Sequence, residues 1–323
     1  IDYVLVSYLA AARTALSYAV GEWARIWPLQ NLIRSMGAYF IRRDSRDPLY
    51  RRVLERYVQM ATESGIVQAV FPEGGLTRDG NMRTPKLGLL DYMLRAFDAR
   101  SPRDLVFVPV GINYDRVLED RALLLDGTGE KPGLVSKSAT AARFAVRQAG
   151  LWMLGRWHRF GYACVNFGTP LSMREWTSRR GVDLRALAGD ERKREVEAFG
   201  KELMAAVGKV VPVLPVSLVS TVLLEAGGTP LPALELHHRV QALMRRLERS
   251  SAVVYVPRTD EEYATAVGLR MLTLRRLVEE REGGFVPSAG EEKVLRYYAA
   301  SIVHLVEAAS GGTDPDMASA RVA

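Results

Sequence analysis

The residues of this 323-residue chain that are best suited to chemistry follow a short apolar run, 66–71, which predicts a strand. Beyond that run and its closing proline come a carboxylate, two adjacent glycines and an arginine: Glu73, Gly74, Gly75 and Arg78. Glycines let backbone N–H groups approach an anion closely, and arginine adds a forked cation that fits phosphate oxygens. The pattern predicts a phosphate site at the end of a strand, with an ordinary glycine-rich turn as the alternative.

Two further blocks flank this loop in the sequence. Upstream, the run 37–41 ends in Arg42 and Arg43, which can bind an anion or form a solvated surface pair. Downstream, the apolar run 105–112 contains Pro109, which can shape a pocket or mark a strand edge or kink. Ligands of α/β proteins sit at the carboxyl ends of strands, so the arginine pair and the glycine loop are predicted to converge on one site.

In order and spacing, the three blocks resemble the glycerol-3-phosphate acyltransferase family. The second motif of that family reads like Gly-Ala-Phe-Phe-Ile-Arg-Arg, its third like Phe-Pro-Glu-Gly-Gly-Arg-Ser-Arg, and its fourth centres on a proline in an apolar strand. The likeness continues into residues 162–170 and, more loosely, into 295–298. One departure is Leu76, which stands where the family often has an arginine and which puts the phosphate contacts and the selectivity in question.

The resemblance implies a role for each of these residues. Arg42 and Arg43 would hold the phosphate of glycerol 3-phosphate. The phosphate and glycerol site would be completed by Glu73, Gly74, Gly75 and Arg78. Pro109 would shape the pocket of the acyl donor.

The first motif of the family is His-x4-Asp, and Asp2 resembles its last residue. The carboxylate would orient the histidine that acts as base, although a helix N-cap is the alternative role for an aspartate here. The histidine would fall before residue 1, since none of the four histidines has an aspartate five positions later. We therefore expect an N-terminally truncated piece that is inactive without this histidine.

The implied reaction moves a fatty acyl group from acyl-CoA or acyl carrier protein to glycerol 3-phosphate, which gives lysophosphatidate for phospholipid synthesis. The resemblance implies no metal ion or other cofactor. Dihydroxyacetone phosphate or a lysophospholipid is an alternative acceptor, and a non-catalytic module that binds phospholipid or acyl carrier is an alternative of another class. A serine hydrolase and a P-loop enzyme are disfavoured because Gly-x-Ser-x-Gly and Gly-x-x-x-x-Gly-Lys are absent from the sequence.

The net charge of +7 and the isoelectric point near 9.5 favour an anionic partner. No nucleic-acid-binding motif is present, so an anionic membrane surface is the better match. No apolar run reaches the ~20 residues of a bilayer span. We expect peripheral or monotopic attachment at the cytoplasmic face. The apolar run 210–224 is predicted to be a buried or interfacial helix and is one candidate contact. The single cysteine, Cys164, excludes an intramolecular disulfide and is predicted to be an inert core residue.

Apolar runs that alternate with helical patterns predict an α/β fold, with a mostly parallel or mixed central sheet flanked by helices. The predicted division is an α/β acyltransferase core at 1–181, an all-helical region at 182–310 and a disordered tail at 311–323. Strands are predicted at 38–41, 66–71, 105–112 and 162–167. Helices are predicted at 3–35, 48–64, from 85 onward, 137–155, 184–207, 213–225, 232–250, 260–282 and 290–309.

Overall fold

A computed structural model describes residues 2–21, 31, 34–35, 37–42, 45–75, 77–117, 120, 124 and 161–311. The chain forms two compact units that interleave along the sequence. The first contains Ile1–Leu76, Arg83–Gly111 and Phe167–Val210. The second contains Thr77–Met82, Ile112–Asn166 and Val211–Ala323. The predicted helix at 137–155 lies outside the described residues, and the predicted domain boundaries stay predictions.

A three-stranded parallel sheet lies in the first unit. Its strands are β1 (Ser17–Gly21), β2 (Ala38–Ile41) and β3 (Gln68–Ala69), in the order β2-β1-β3. On the central strand, Tyr18 is opposite Ala38 on one side and Ala69 on the other. The α/β class predicted from the sequence is confirmed, and β2 occupies the predicted residues.

The predicted helix over 3–35 is wrong beyond its first third. Helix α1 spans Asp2–Ala10, and the chain then enters β1 instead of continuing as a helix. Tyr18 and Val20, two residues apart on the strand, are both buried. Their burial repeats every two residues, as in a strand, and not every 3.6 residues, as in a helix. Pairing with two neighbours and burial of this aromatic and this β-branched side chain outweigh the helical propensity of the alanines and leucines around them.

The described residues of the first unit form four more helices. Helix α2 (Pro48–Glu63) begins, as predicted, at Asp47, whose side chain accepts from the N–H of Leu49 at 2.9 Å. Helix α3 (Leu87–Leu94) buries its apolar face. Helices α4 (Met173–Arg180) and α5 (Gly189–Lys209) share a hydrophobic core with α3, which includes Leu94, Met173, Trp176 and Phe199.

The predicted continuous buried strand at 105–112 is wrong. The run is broken into β4 (Val106–Phe107) and β5 (Val110–Tyr114) by Val108 and Pro109. Strand β4 pairs antiparallel with β7 (Leu171–Ser172), and β5 pairs with β6 (Ala163–Phe167), the strand that was predicted at 162–167. Proline has no N–H to give to a ladder, so a single strand does not continue through Pro109.

The core of the second unit is built around helix α6 (Pro215–Glu225), whose residues 215–223 are all buried. An interfacial position for the run 210–224 is therefore wrong. Helices α7 (Ala233–Arg249), α8 (Glu261–Leu274), α9 (Glu292–Ala300) and α10 (Val303–Gly311) also belong to this unit.

The region 182–310 is not all-helical, because a hairpin replaces the end of the helix predicted at 260–282. Its strands are β8 (Val278–Arg281) and β9 (Gly284–Pro287). The turn between them is Glu282-Gly283, and both residues have positive φ. An acidic residue followed by glycine, both with positive φ, is typical of a type I′ turn. This turn was missed from the sequence because the apolar pattern upstream of it predicts a helix.

Candidate functional site

The carboxyl edge of the parallel sheet in the first unit carries two of the predicted blocks. Arg42 directly follows β2, and the loop with Glu73, Gly74 and Gly75 follows β3. Because β1 lies between these two strands, they are two strand spacings apart across the sheet, or about 10 Å; along the sheet, β2 ends opposite Gly21 and β3 ends opposite Tyr18. The edge between them is where an α/β sheet places its ligands.

Arg42 is exposed and is held by Tyr50 in the first turn of α2. The backbone N–H of Arg42 donates to the Tyr50 hydroxyl at 2.8 Å, and the guanidinium lies 5.7 Å from the centre of the Tyr50 ring. The guanidinium thus lies over a side chain of the first turn of α2, and the leading N–H groups of that helix are already bound by the Asp47 carboxylate. Arg43 lies outside the described residues.

The glycine loop closes on the segment that leads into α3. The N–H of Gly74 donates to the carbonyl of Phe71 at 3.0 Å, and φ of Gly74 is +68°, which explains why glycine stands there. The N–H of Arg83 donates to the Glu73 carboxylate at 3.3 Å, and the N–H of Lys86 donates to the carbonyl of Pro72 at 2.8 Å. The position of Glu73 is therefore set by backbone contacts of the segment that follows the loop.

Lys86 is a cation of this loop that sequence reasoning missed. A Cβ on Gly74 would lie 2.6 Å from Cδ of Lys86, so the aliphatic stem of the lysine packs directly on the glycine while the residue as a whole stays exposed. Lys86 also precedes α3 without capping it. The available signal was a basic residue next to Pro85, at the predicted start of a helix, where a cation is unfavourable for the helix dipole.

Arg78 lies in Thr77–Met82, which belongs to the second unit. Its side chain is exposed, and its loop is held by its own polar groups. The Thr77 hydroxyl donates to the Asp79 carboxylate at 2.9 Å and accepts from the N–H of Gly80 at 3.1 Å. The side chain and N–H of Asn81 donate to Asp79 at 3.0 and 3.1 Å, and these bonds, led by that from the Asn81 side chain, lower the pKa of Asp79. Leu76 lies outside the described residues.

Asp2 is the first residue of α1 and is half-buried. The ring of the adjacent Tyr3 stacks on that of Tyr18 in β1, which fixes the first turn of α1 against the central strand. Burial is the largest cause that raises the pKa of the Tyr18 phenol above its usual range. Asp2 is thus on an element that packs on the sheet whose edge carries Arg42 and Glu73.

Pro109 is buried, and its carbonyl accepts the N–H of Gly168 at 2.8 Å. A Cβ on Gly168 would lie 3.3 Å from Cβ of Pro109 and 3.0 Å from a methyl of Val210. The proline therefore packs on the block 162–170, which shared in the family resemblance. Pro109 and Gly168 both belong to the first unit.

Two models of known families match this chain. Residues 1–113 match the family model described as Acyltransferase, and residues 151–310 match the model described as the C-terminal region of glycerol-3-phosphate acyltransferase. Together the two matches cover most of the chain and include every residue that was predicted for the site. The chain belongs to the glycerol-3-phosphate acyltransferase family.

Curated members of the glycerol-3-phosphate acyltransferase family match over most of this chain. The protein of that name from Pseudomonas fluorescens (strain SBW25) is 32% identical over 268 residues, which are 80% of this chain and 30% of the relative. That from Pseudomonas syringae pv. tomato is 29% identical over 94% of the chain and 37% of the relative. That from Haemophilus influenzae (strain PittEE) is 26% identical over 94% and 38%. The chain thus spans about a third of the length of these relatives.

The described part of this family member contains neither a metal cluster nor a helix suited to a bilayer. Among the described residues, no group of three or more histidine, cysteine, aspartate or glutamate side chains is placed to hold a metal ion. None of the described helices combines the length and the apolar character that crossing a membrane requires. Cys164, on β6, is half-buried, and burial raises the pKa of its thiol to about 11, which disfavours the reactive thiolate.

Proposed function

We propose that the protein containing this chain transfers a fatty acyl group from acyl-CoA or acyl carrier protein to the primary hydroxyl of glycerol 3-phosphate. The observation that carries the proposal is the sheet edge of the first unit, in a chain of this family. There an arginine held by Tyr50 of α2 and a glycine loop with a carboxylate follow two strands of one parallel sheet. An anionic acceptor with free hydroxyl groups fits these charges and donors.

The proposed division of labour follows from the chemistry of acyl transfer. A base must remove the proton of the attacking hydroxyl, and Asp2 is proposed to orient the histidine base of the family's first motif. Arg42, Arg43 and Arg78 are proposed to bind the phosphate, with Gly74 and Gly75 supplying backbone N–H groups. Glu73 is proposed to accept a hydrogen bond from a glycerol hydroxyl. Pro109 is proposed to line the acyl-donor pocket, and no metal or prosthetic group takes part.

The test is a comparison of Michaelis constants in the protein at its natural length. Arg42→Ala and Arg78→Ala each remove a charge-assisted contact worth about 1.5–3 kcal/mol, so the KM for glycerol 3-phosphate rises roughly tenfold to a hundredfold. The KM for the acyl donor stays near the wild-type value. The control is Arg281→Ala on β8, because Arg281 is also an exposed arginine (62%) but lies far along the chain from both site arginines, where it pairs with the neighbouring Glu279. An unchanged acceptor KM in both variants would contradict the assignment.

The same assay separates the alternatives. Dihydroxyacetone phosphate or a lysophospholipid is the acceptor if either gives a higher kcat/KM than glycerol 3-phosphate with the same donor. A non-catalytic module would bind phospholipid or acyl carrier and form no acylated product with any acceptor. We favour glycerol 3-phosphate because residues 151–310 match the C-terminal region of that family.

We further propose that the protein attaches to an anionic membrane surface through helix α2 and not through α6. The side chains of Leu49, Val53, Tyr57 and Met60 are 73%, 59%, 47% and 53% exposed. Their spacing of four, four and three residues places them on one face of the helix. The opposite face carries Val58 and Ala61, which are buried and account for the packing of α2 in its unit.

Of these four residues, Tyr57 also packs in the fold, since its ring lies edge-on to that of Tyr39 on β2 with the centroids 5.0 Å apart, whereas Leu49, Val53 and Met60 are each more than half exposed. Arg52 and Arg56 lie on the same side as the apolar stripe and are exposed. Arg56 forms a long, exposed ion pair with Glu63 at 3.8 Å, which contributes little to stability. An apolar stripe with arginines beside it is the surface that lies in the interface of an anionic bilayer.

A further inference from the structure

Gly80, at the tip of the loop that carries Arg78, has the least room around it of the described glycines in the second unit. Its φ is +85°, and a Cβ there would overlap the carbonyl oxygen of Tyr297 and lie 2.9 Å from the carbonyl carbon. The methyl group of Ala300 would be 3.1 Å away. Both neighbours belong to α9, so the loop backbone rests directly on the last turns of that helix.

Helix α9 offers a firm support for this contact. Leu295 and Tyr298 are 0% and 2% exposed. The Tyr298 hydroxyl donates to the Asp120 carboxylate at 2.5 Å and accepts from a guanidinium N–H of Arg275 at 2.7 Å. Arg275 also pairs with Asp120. A satisfied, buried network of this kind holds the helix in one place.

The loop itself transmits the position of Gly80 to Arg78. Thr77 and Asn81 bracket the loop, and their bonds to Asp79 and Gly80 lie on both sides of Arg78. The backbone of Arg78, which carries the exposed guanidinium, lies between these hydrogen-bonded residues. Movement of the glycine away from α9 therefore moves the arginine as well.

We propose that Gly80 is a positioning residue, which allows the Arg78 loop to pack on α9. This helix of the C-terminal region thereby determines the position of a cation that binds phosphate. The proposal rests on the function proposed above. Only a residue without a Cβ reaches the Tyr297 carbonyl, and only glycine adopts this φ without strain.

The first experiment measures both Michaelis constants of Gly80→Ala in the natural-length protein. We expect the KM for glycerol 3-phosphate to rise by up to about a hundredfold, the loss that a displacement of about 1 Å can cause. The KM for the acyl donor stays near the wild-type value. The matched control is Gly228→Ala, since Gly228 has φ of +87° in the same unit but has no atom within 4 Å of the position that a Cβ would take.

A double-mutant cycle distinguishes positioning from a general structural role. If Gly80 acts through Arg78, adding Gly80→Ala to Arg78→Ala raises the acceptor KM no further, whereas independent effects multiply. Trypsin cleavage after Arg78 should also become faster in Gly80→Ala than in Gly228→Ala, because the loop leaves its support. Should Gly80→Ala fail to fold, Thr77→Val removes the hydroxyl that holds Gly80 and should raise the acceptor KM in the same way.

The outcomes separate this proposal from the one it rests on. A wild-type protein that acylates no glycerol 3-phosphate contradicts the proposed function. An active wild type in which Gly80→Ala and Thr77→Val keep the acceptor KM of Gly228→Ala contradicts the positioning role alone. Multiplicative effects in the cycle also overturn it.

Discussion

Asp115 shows how burial alone makes a single side chain sensitive to pH. The residue is 0% exposed, and its carboxylate accepts the N–H groups of Tyr162 and Val216, each at 3.0 Å. Burial, the largest cause, raises its pKa from 3.8 to about 6, although the two backbone bonds act the other way. The folded protein therefore holds this proton at pH values where the unfolded chain has released it.

The stabilisation from this proton is complete below the unfolded pKa of 3.8 and is lost as the pH rises through about 6. The difference between the two pKa values corresponds to about 3 kcal/mol. We expect wild type to lose about that much free energy of unfolding relative to Asp115→Asn between roughly pH 4 and pH 7. Urea unfolding of both proteins across this range measures it. Parallel pH profiles would contradict the prediction.

Lys86 tests whether the missed cation belongs to the proposed site. We expect Lys86→Met, which keeps the aliphatic stem on Gly74 but removes the charge, to raise the KM for glycerol 3-phosphate by about tenfold. Thermal unfolding should stay close to that of wild type, since the stem contact remains. The matched control is Lys201→Met on α5, a lysine that is 72% exposed and pairs with Glu197. Equal acceptor KM values in the two variants would place Lys86 outside the site.

At the scale of elements, the contact between α6 and α8 depends on a glycine in the middle of a helix. A Cβ on Gly268 would lie 2.6 Å from the carbonyl oxygen of Pro215 and 3.0 Å from a methyl of Val219. We expect Gly268→Ala to lower the free energy of unfolding by about 1–3 kcal/mol through overpacking. Gly88→Ala in α3, where nothing lies within 4 Å, should instead raise it by up to about 1 kcal/mol. Urea unfolding compares them; equal changes would rule out the close approach.

The elements also show what the sequence could and could not predict. Helix α2 was predictable because Asp47 and Pro48 mark its start. Strand β1 was not, because Tyr18 and Val20 are set in a segment rich in helix formers, and pairing with β2 and β3 is invisible locally. The break at Pro109 was signalled by the proline as a strand edge or kink, but an apolar run does not show whether its two halves pair in one sheet or in two. Among the site residues, the motifs indicated Arg42 and the glycine loop, whereas Lys86 required the packing on Gly74.

At the scale of the whole molecule, charge and apolar surface together lead to a prediction about membranes. The chain carries a net charge of +7, and the apolar stripe of α2 has Arg52 and Arg56 beside it. Each arginine near an anionic surface contributes about 1 kcal/mol. The double variant Arg52→Glu, Arg56→Glu should therefore weaken flotation with anionic vesicles by more than about tenfold.

The salt dependence of flotation distinguishes the apolar contribution to this attachment from the ionic one. The double variant Leu49→Ser, Val53→Ser should weaken flotation with anionic and neutral vesicles alike. The arginine variant should resemble wild type at high salt, because exposed charges are then screened over less than about 8 Å. The control is Leu234→Ser on α7, because Leu234 is 68% exposed, nearly as much as Leu49, but belongs to the second unit. If the α2 variants and the Leu234 variant float as wild type does under all conditions, α2 is not the contact. If the double variant Leu49→Ser, Val53→Ser is the one that loses flotation while the arginine variant and the Leu234 control keep it, hydrophobic insertion acts without help from charge, and the arginines do not contribute to membrane selectivity.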